Sequence, residues 1–297
     1  MQLKHLRTFV AVASTLNLTR AGEKLHLAQS SVTEQIQSLE SDIGATLFDR
    51  SRRKWALTPV GTRLREYAIA IIALSDEARG AVLAGKCEVT GRVMVGGVES
   101  LCGGRLPPVL LKYCANFPDV QVTLRAGKTT DLHGGLKAGL LDVYFTFGEP
   151  CEEPGLRSER VATEPIIFVG PPNHRLSGQR RVTLEELAQE EFLLTIFGCP
   201  VREVFEKAFA QQAKRPRIIA EFASIAAMRS IVENGVGCTL LPACAAREAL
   251  ACGKVVVLAW PALQEMPISM RWRQQRSPPP ALRHFLQAAR SSLALAS

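Results

Sequence analysis

The stretch LHLAQSSVTEQIQSLE, Leu25 to Glu40, decides how the N-terminal part of the chain is read. Its apolar residues Leu25, Val32, Ile36 and Leu39 are spaced by seven, four and three, which places them on one stripe of a helix. Between them lie Gln29, Ser30, Ser31, Thr33, Glu34, Gln35 and Gln37. A helix face exposed only for solubility usually carries Lys and Glu. This one carries mainly uncharged side chains that donate and accept hydrogen bonds.

The flanking residues give that face a context. Leu3, Leu6, Phe9, Val10 and Ala13 predict a first amphipathic helix. A second runs from about Thr19 to Leu25, with Asn17 or Thr19 available as its cap. His26-Leu27-Ala28 is short enough to be a turn, and the next helix ends near Gly44. Two helices joined so closely form a helix-turn-helix pattern. The segment LFDRSRRKWALTPVG follows, with Arg50, Arg52, Arg53 and Lys54 between the anchors Leu47-Phe48 and Trp55-Leu57, a basic hairpin or wing. From Pro59 to about Leu83 a long helix carries Leu64, Tyr67, Ala68, Ile71, Ile72, Ser75, Ala78 and Val82, a stripe suited to pairing with another helix.

A DNA major groove admits one α-helix and offers base edges that such a face can read. Gln29 or Gln35 fits adenine bidentately, Glu34 fits a cytosine amine, and Thr33 fits a thymine methyl group. Gln29, Ser30 and Ser31 stand at the helix start, where free N–H groups favour phosphate. The bland alternatives are a solvated face and a capping box, Ser31-x-x-Glu34, starting the helix later. The four cations of the wing suit phosphate and minor-groove contact, and their distance from the helix pair favours the DNA reading.

Composition is consistent with this. At 297 residues, 47% hydrophobic and 22% charged, the chain reads as two or three globular domains. A net charge of +8 permits contact with nucleic acid without demanding it. No secretory segment is evident and no run approaches the roughly 18 to 20 apolar residues of a membrane span, so the cytoplasm is the expected location. The eight cysteines form no CxxC pair, and most are expected to be buried small apolar residues.

After Gly85 strand-like and helix-like segments alternate: GRVMVGGVES, PPVLLKYCANFP, VQVTLRA, DLHGGLKAGLL and DVYFTFG, then a second set from EPIIFVG to KVVVLAW. The alternation predicts a parallel sheet with helices on both faces. The trailing PISMRWRQ and PPPALRHFLQAARSSL form one more strand and helix, a pair expected to rejoin an earlier sheet. No GxGxxG opens a helix after a strand, and neither a P-loop nor a GxSxG elbow occurs. The histidines His5, His26, His133, His174 and His284 lack metal-ligand spacing. A binding domain without catalytic activity, metal or cofactor is the expected reading.

The run FVAVASTLNLTRAGEKLHLAQSSVTEQIQSLESDIGATLFDRSRRKWALTPVG resembles the N-terminal domain of LysR-type transcriptional regulators over about fifty residues. The features that match are an aromatic-led first helix, a Gln-led recognition helix ending in Leu-Glu, Leu-Phe-x-Arg, and Leu-Thr-x-x-Gly. This chain departs from the family at Ala28, Ser30 and Glu34, where Ser, Pro and a basic or neutral residue are usual, and at Gly22, where Ala is common. Gly22 should loosen the second helix slightly.

The resemblance implies an α/β fold class with an N-terminal all-α winged helix-turn-helix (1–58), a long linker or dimerisation helix (59–88) and a two-lobed effector domain like a type 2 periplasmic binding protein (91–297). Its lobes would be 91–162 with 267–297, and 163–266. The implied partners are double-stranded promoter DNA, a small-molecule effector, RNA polymerase, and further copies of the chain in a dimer or tetramer. The implied effector residues are Ser100 with Leu101, Thr129, Phe147, and Cys199, Pro200 and Arg202 of GCPVR. Hydroxyls, helix-start amides and Arg202 suit an anionic group. Phe147 stands where some relatives that answer to aromatic acids place an Arg. Cys199, at a helix start beside Arg202, is also the residue for an alternative thiol-based redox sensor. The peroxide-sensing relatives place a second cysteine nine residues on, where this chain has Ala208.

Overall fold

The structure, a computed structural model, describes residues 1–49, 55–83, 89–260, 264–275 and 277–294. Two compact units divide the chain. The first centres on Met1–Glu88, and the second comprises Val89–Lys137, Leu141–Gln274 and Ala281–Ser297.

The first unit opens with three helices, α1 (Leu3–Thr15), α2 (Leu18–Leu25) and α3 (Gln29–Ile43). The Asn17 side chain caps α2 by accepting from the Arg20 amide at 3.1 Å. The expected stripe of α3 is the buried one: Val32, Ile36 and Leu39 are shielded from water together with Leu6, Phe9 and Val12 of α1. Each such side chain contributes about 1.5–3 kcal/mol by burial. The turn between α2 and α3 closes on Gly22, whose carbonyl accepts from the Leu27 amide at 2.9 Å. A Cβ on Gly22 would come within 2.6 Å of the Leu27 oxygen. Gly22 therefore permits a close turn, a role that helix propensity alone does not reveal.

The hairpin pairs β1 (Phe48–Asp49) with β2 (Ala56–Leu57), antiparallel, with Phe48 opposite Leu57. Its anchors are in place, the Phe48 ring lying 5.4 Å from Phe9 and 5.3 Å from Trp55. Arg50, Arg52, Arg53 and Lys54 fall outside the described residues. The Leu-Thr-x-x-Gly run has a steric explanation. Thr58 accepts from the Gly61 amide at 2.9 Å and so caps α4 (Pro59–Leu83), while a Cβ on Gly61 would meet the Leu47 carbonyl oxygen at 2.1 Å. Along α4 the expected stripe divides. Ala68 is buried with Leu64 and Ile72 packed beside it, whereas Tyr67 and Ile71 are exposed, as is Val60 outside the stripe; the side chains of Ala78 and Val82 fall outside the described residues.

The second unit continues with β3 (Gly91–Gly97), α5 (Glu99–Gly104), α6 (Leu106–Asn116), β4 (Val120–Ala126), α7 (Thr129–Lys137), β5 (Val143–Phe147) and β6 (Leu156–Gly170). Then come α8 (Leu184–Leu187), β7 (Glu191–Thr195), α9 (Pro200–Phe209), β8 (Arg217–Phe222), α10 (Ile225–Glu233), β9 (Thr239–Pro242) and α11 (Ala243–Ala251). The last elements are β10 (Val256–Leu258), β11 (Gln264–Arg273) and α12 (Pro280–Ala294).

The expected parallel sheet is in fact mixed. Strands β4, β3 and β5 run parallel, as do β7 and β8, but β11 pairs antiparallel with both β5 and β6, and β9 and β10 pair antiparallel with β6. The first half of β6, LRSERVAT, is too polar to stand out as an apolar run, so only its second half reads as a strand. Helix α5, ending in two glycines, and the alanine-rich α11 escape a hydrophobic-periodicity reading for a similar reason. The trailing pair behaves as expected, with β11 rejoining the sheet beside β5, Ile268 opposite Phe147.

Candidate nucleic-acid interface and effector crevice

The polar face of α3 is exposed at its start. Ala28, Gln29, Ser30 and Glu34 are open to water, and Ser31 and Thr33 are half-buried. The helix begins at Gln29, with Ala28 as an N-cap that offers no side-chain bond, so the Ser31-x-x-Glu34 capping box does not form. The first intrahelical acceptor is the Ala28 carbonyl, which takes the Val32 amide at 3.1 Å. The amides of Gln29, Ser30 and Ser31 therefore point out of the helix end, the arrangement that suits a phosphate. Thr33 donates its hydroxyl to the Gln29 carbonyl at 3.0 Å and leaves its methyl group for contact. The Gln29 side-chain oxygen accepts from Thr19 at 3.3 Å.

Gln35 has a structural partner behind the face. Its side-chain oxygen accepts from the buried hydroxyl of Thr8 at 2.7 Å, tying α3 to α1. Periodicity alone put Gln35 with the outward face. Glu40 is structural as well, accepting from the amides of Leu47 at 2.8 Å and Phe48 at 3.4 Å.

In the second unit the expected effector residues follow the carboxyl ends of parallel strands, the edge where open α/β sheets place ligands. Ser100 and Leu101 lie in the first turn of α5 after β3, Thr129 begins α7 after β4, and Phe147 ends β5. The strands are in register, Gly97 lying opposite both Ala126 and Phe145. Thr129 shares a hydrogen bond of 2.7 Å with the buried Thr146 hydroxyl. Ser100, Leu101 and Phe147 are buried. Cys199 is the N-cap of α9 after β7, half-buried and making no side-chain cap bond, and Pro200 is the first helical residue.

Arg202 departs from expectation. It is buried, and its guanidinium donates to Glu206 at 2.7 Å, Glu221 at 2.9 Å and the Thr195 carbonyl at 3.0 Å, with the Phe197 ring 4.4 Å away. Two carboxylates already balance its charge, so it is not a free cation for an anionic effector.

Sequence reasoning missed a further set of groups at this edge. Glu99, the first residue of α5, accepts from the Ser224 hydroxyl at 3.0 Å and from the amides of Ile225 at 3.0 Å and Ala226 at 3.4 Å, at the start of α10. Ser224 is the N-cap of α10, a position a Ser before an apolar run signals, but its partner lies 125 residues earlier. Arg105 donates to the buried Glu164 at 2.5 Å, and Glu164 also accepts from the Cys244 amide at 2.5 Å.

The cysteines are less buried than expected. Among the described residues Cys238 and Cys244 are buried, Cys102 and Cys199 are intermediate, and Cys114, Cys151 and Cys252 are exposed. Burial and the nearby Glu164 push the Cys244 thiol up to about 12, and burial and Glu190 do the same to Cys238. Cys238, His174 and Glu190 together present one metal-type ligand atom each. Glu190 and Cys238 both lie 3.2 Å from His174 Nε2, while His174 Nδ1 accepts from the Leu176 amide at 3.2 Å. Nε2 is thus the ring atom that faces Glu190 and Cys238, and Arg175 also pairs with Glu190. The cluster is a hydrogen-bonded structural network, assembled from three separate segments and so invisible to local spacing.

Comparison with known proteins agrees with both units. Residues 3–62 match the family model described as bacterial regulatory helix-turn-helix protein, lysR family, and residues 87–294 match the LysR substrate binding domain. The regulator YwqM of Bacillus subtilis is 32% identical over 98% of this chain and 99% of its own. The Hca operon transcriptional activator HcaR of Escherichia coli is 33% identical over 82% of each chain. Among solved structures, a full-length OxyR variant from Pseudomonas aeruginosa covers 99% of this chain and 95% of its own, with TM-score 0.80 and 23% identity. CbnR complexed with its target DNA covers 98% of this chain and 100% of its own, with TM-score 0.62 and 24% identity. Among the described residues no helix is long and apolar enough to cross a membrane. With the helix-turn-helix model matching one end and the LysR substrate binding domain matching the rest, the chain belongs to the LysR family of DNA-binding transcriptional regulators.

Proposed function

We propose that the protein binds a specific site in promoter DNA through α3 and answers to a small molecule held in the second unit. The observation that carries the DNA-site reading is the start of α3, exposed, polar and uncapped by any side chain. Gln29, Ser30, Thr33 and Glu34 read base edges, the Gln29–Ser31 amides hold a phosphate, and the wing cations Arg50, Arg52, Arg53 and Lys54 grip flanking backbone. Gln35 supports the helix from behind. Two copies pair through α4, a reading supported by the exposed apolar residues Val60, Tyr67 and Ile71, and so present two recognition helices. Dimer or tetramer, the protein works in the cytoplasm beside RNA polymerase and catalyses no reaction.

The effector crevice lies between two lobes, 91–162 with 267–297 and 163–266, at the strand ends that carry Ser100, Leu101, Thr129, Phe147, Cys199 and Pro200. With Arg202 neutralised, hydroxyls and backbone amides rather than a free cation hold the effector. Ligand preference for one lobe arrangement sets the limit of the regulatory effect. Footprinting of the DNA upstream of the protein's own gene tests the first part, the expected result being a discrete pseudo-palindromic site. Uniform protection without a site would refute it. Mass spectrometry of small molecules released from the purified protein tests the second.

A further inference from the structure

Helix α5 meets the elements beyond it at two places of different character. At its C-terminal end Arg105, Glu164 and the Cys244 amide form a buried cluster, with both charged side chains almost wholly shielded from water. Gly104 lies so close to α11 that a Cβ there would come within 2.8 Å of both Cβ and O of Cys244. Parting this junction would leave a charge buried without its partner, which is strongly unfavourable. At its N-terminal end Glu99 takes three donors from Ser224, Ile225 and Ala226, but it is only partly buried. Water can replace those donors at small net cost. Glu99 follows β3 and α10 follows β8, so the contact spans the crevice from one set of parallel strand ends to the other.

We infer that Glu99 is a latch. Its carboxylate on the first turn of α10 holds the crevice closed in the effector-free protein, and the two halves part by turning about the Arg105–Glu164–Cys244 junction. The charge matters as well as the bonds, because a carboxylate is favoured at the amino end of a helix. The inference rests on the two-lobed reading above but requires no effector, so its test is independent of whether one is found.

Hydrogen exchange of the full chain, read peptide by peptide without added ligand, compares the unmodified protein with Glu99→Gln. The expected result is exchange about tenfold faster at Ile225 and Ala226 and also across the first turn of α5, with the peptide carrying Glu164 unchanged, as for loss of one charge-assisted contact. Faster exchange confined to the first turn of α10 would make Glu99 a local cap and overturn the latch, as would no change at all. Should Glu99→Gln unfold the unit, exposing the Glu164 peptide too, Ser224→Ala carries the same comparison. Opening at both α5 and α10 sustains the latch, and a change at α10 alone overturns it.

Discussion

The hydroxyl of Thr8 in α1 donates to the side-chain oxygen of Gln35 in α3 at 2.7 Å, and Thr8 is buried. One glutamine of the polar face thus holds the recognition helix in place. Gln35→Ala leaves the Thr8 hydroxyl without this acceptor and should cost about 1–3 kcal/mol of stability. Specific and nonspecific DNA affinity should fall together, if at all. Urea unfolding and anisotropy titrations check both parts, and a selective loss of specific affinity would return Gln35 to the base-reading set.

Gly61 lies against the Leu47 carbonyl, with no room for a Cβ. Gly61→Ala should therefore displace the hairpin from the start of α4 and destabilise the first unit by about 1–3 kcal/mol or more. Thermal unfolding reads the loss. A variant as stable as the parent would mean that the hairpin and α4 part easily.

Arg202 is committed to Glu206, Glu221 and the Thr195 carbonyl. Arg202→Met, which keeps much of the buried stem, should lower stability by about 1–3 kcal/mol. Its two carboxylate partners are more than a third exposed, and their hydration holds the loss to that range. Denaturant unfolding of the second unit measures it. An unchanged midpoint would show that the three contacts add nothing net.

The thiols divide by environment. In the folded protein at pH 8, iodoacetamide should label Cys114, Cys151 and Cys252 while sparing Cys238 and Cys244, whose thiols burial holds up at about 12. An unfolded thiol ionises at about 8.5. The stability gained by keeping these thiols neutral is thus complete below that pH, and it is lost as pH rises toward 12. Mass mapping of the labelled peptides and unfolding at pH 8 and 10 check the two statements. Early labelling of Cys238 or Cys244 would contradict the first.

Much of the first unit was legible because its signals are local. Val32, Ile36 and Leu39 mark a buried stripe, Asn17 a cap, and Gly44 a helix end with φ of 74°. What escaped depends on partners distant in the chain. Gln35 looks like its neighbours until Thr8 is brought against it, and Arg202 looks like a free cation until Glu221 arrives from β8. Glu99 and Ser224 form a pair only once β3 and β8 are folded. The mixed sheet does not show in the sequence because the first half of β6 hides its strand character behind charged residues.

Base reading by α3 is the central claim, and Gln29→Ala tests it most directly. Anisotropy titrations at fixed salt compare the footprinted site with unrelated DNA of equal length. The variant should lose about 1–3 kcal/mol on the specific site and little on the unrelated duplex. Equal losses on both would contradict it.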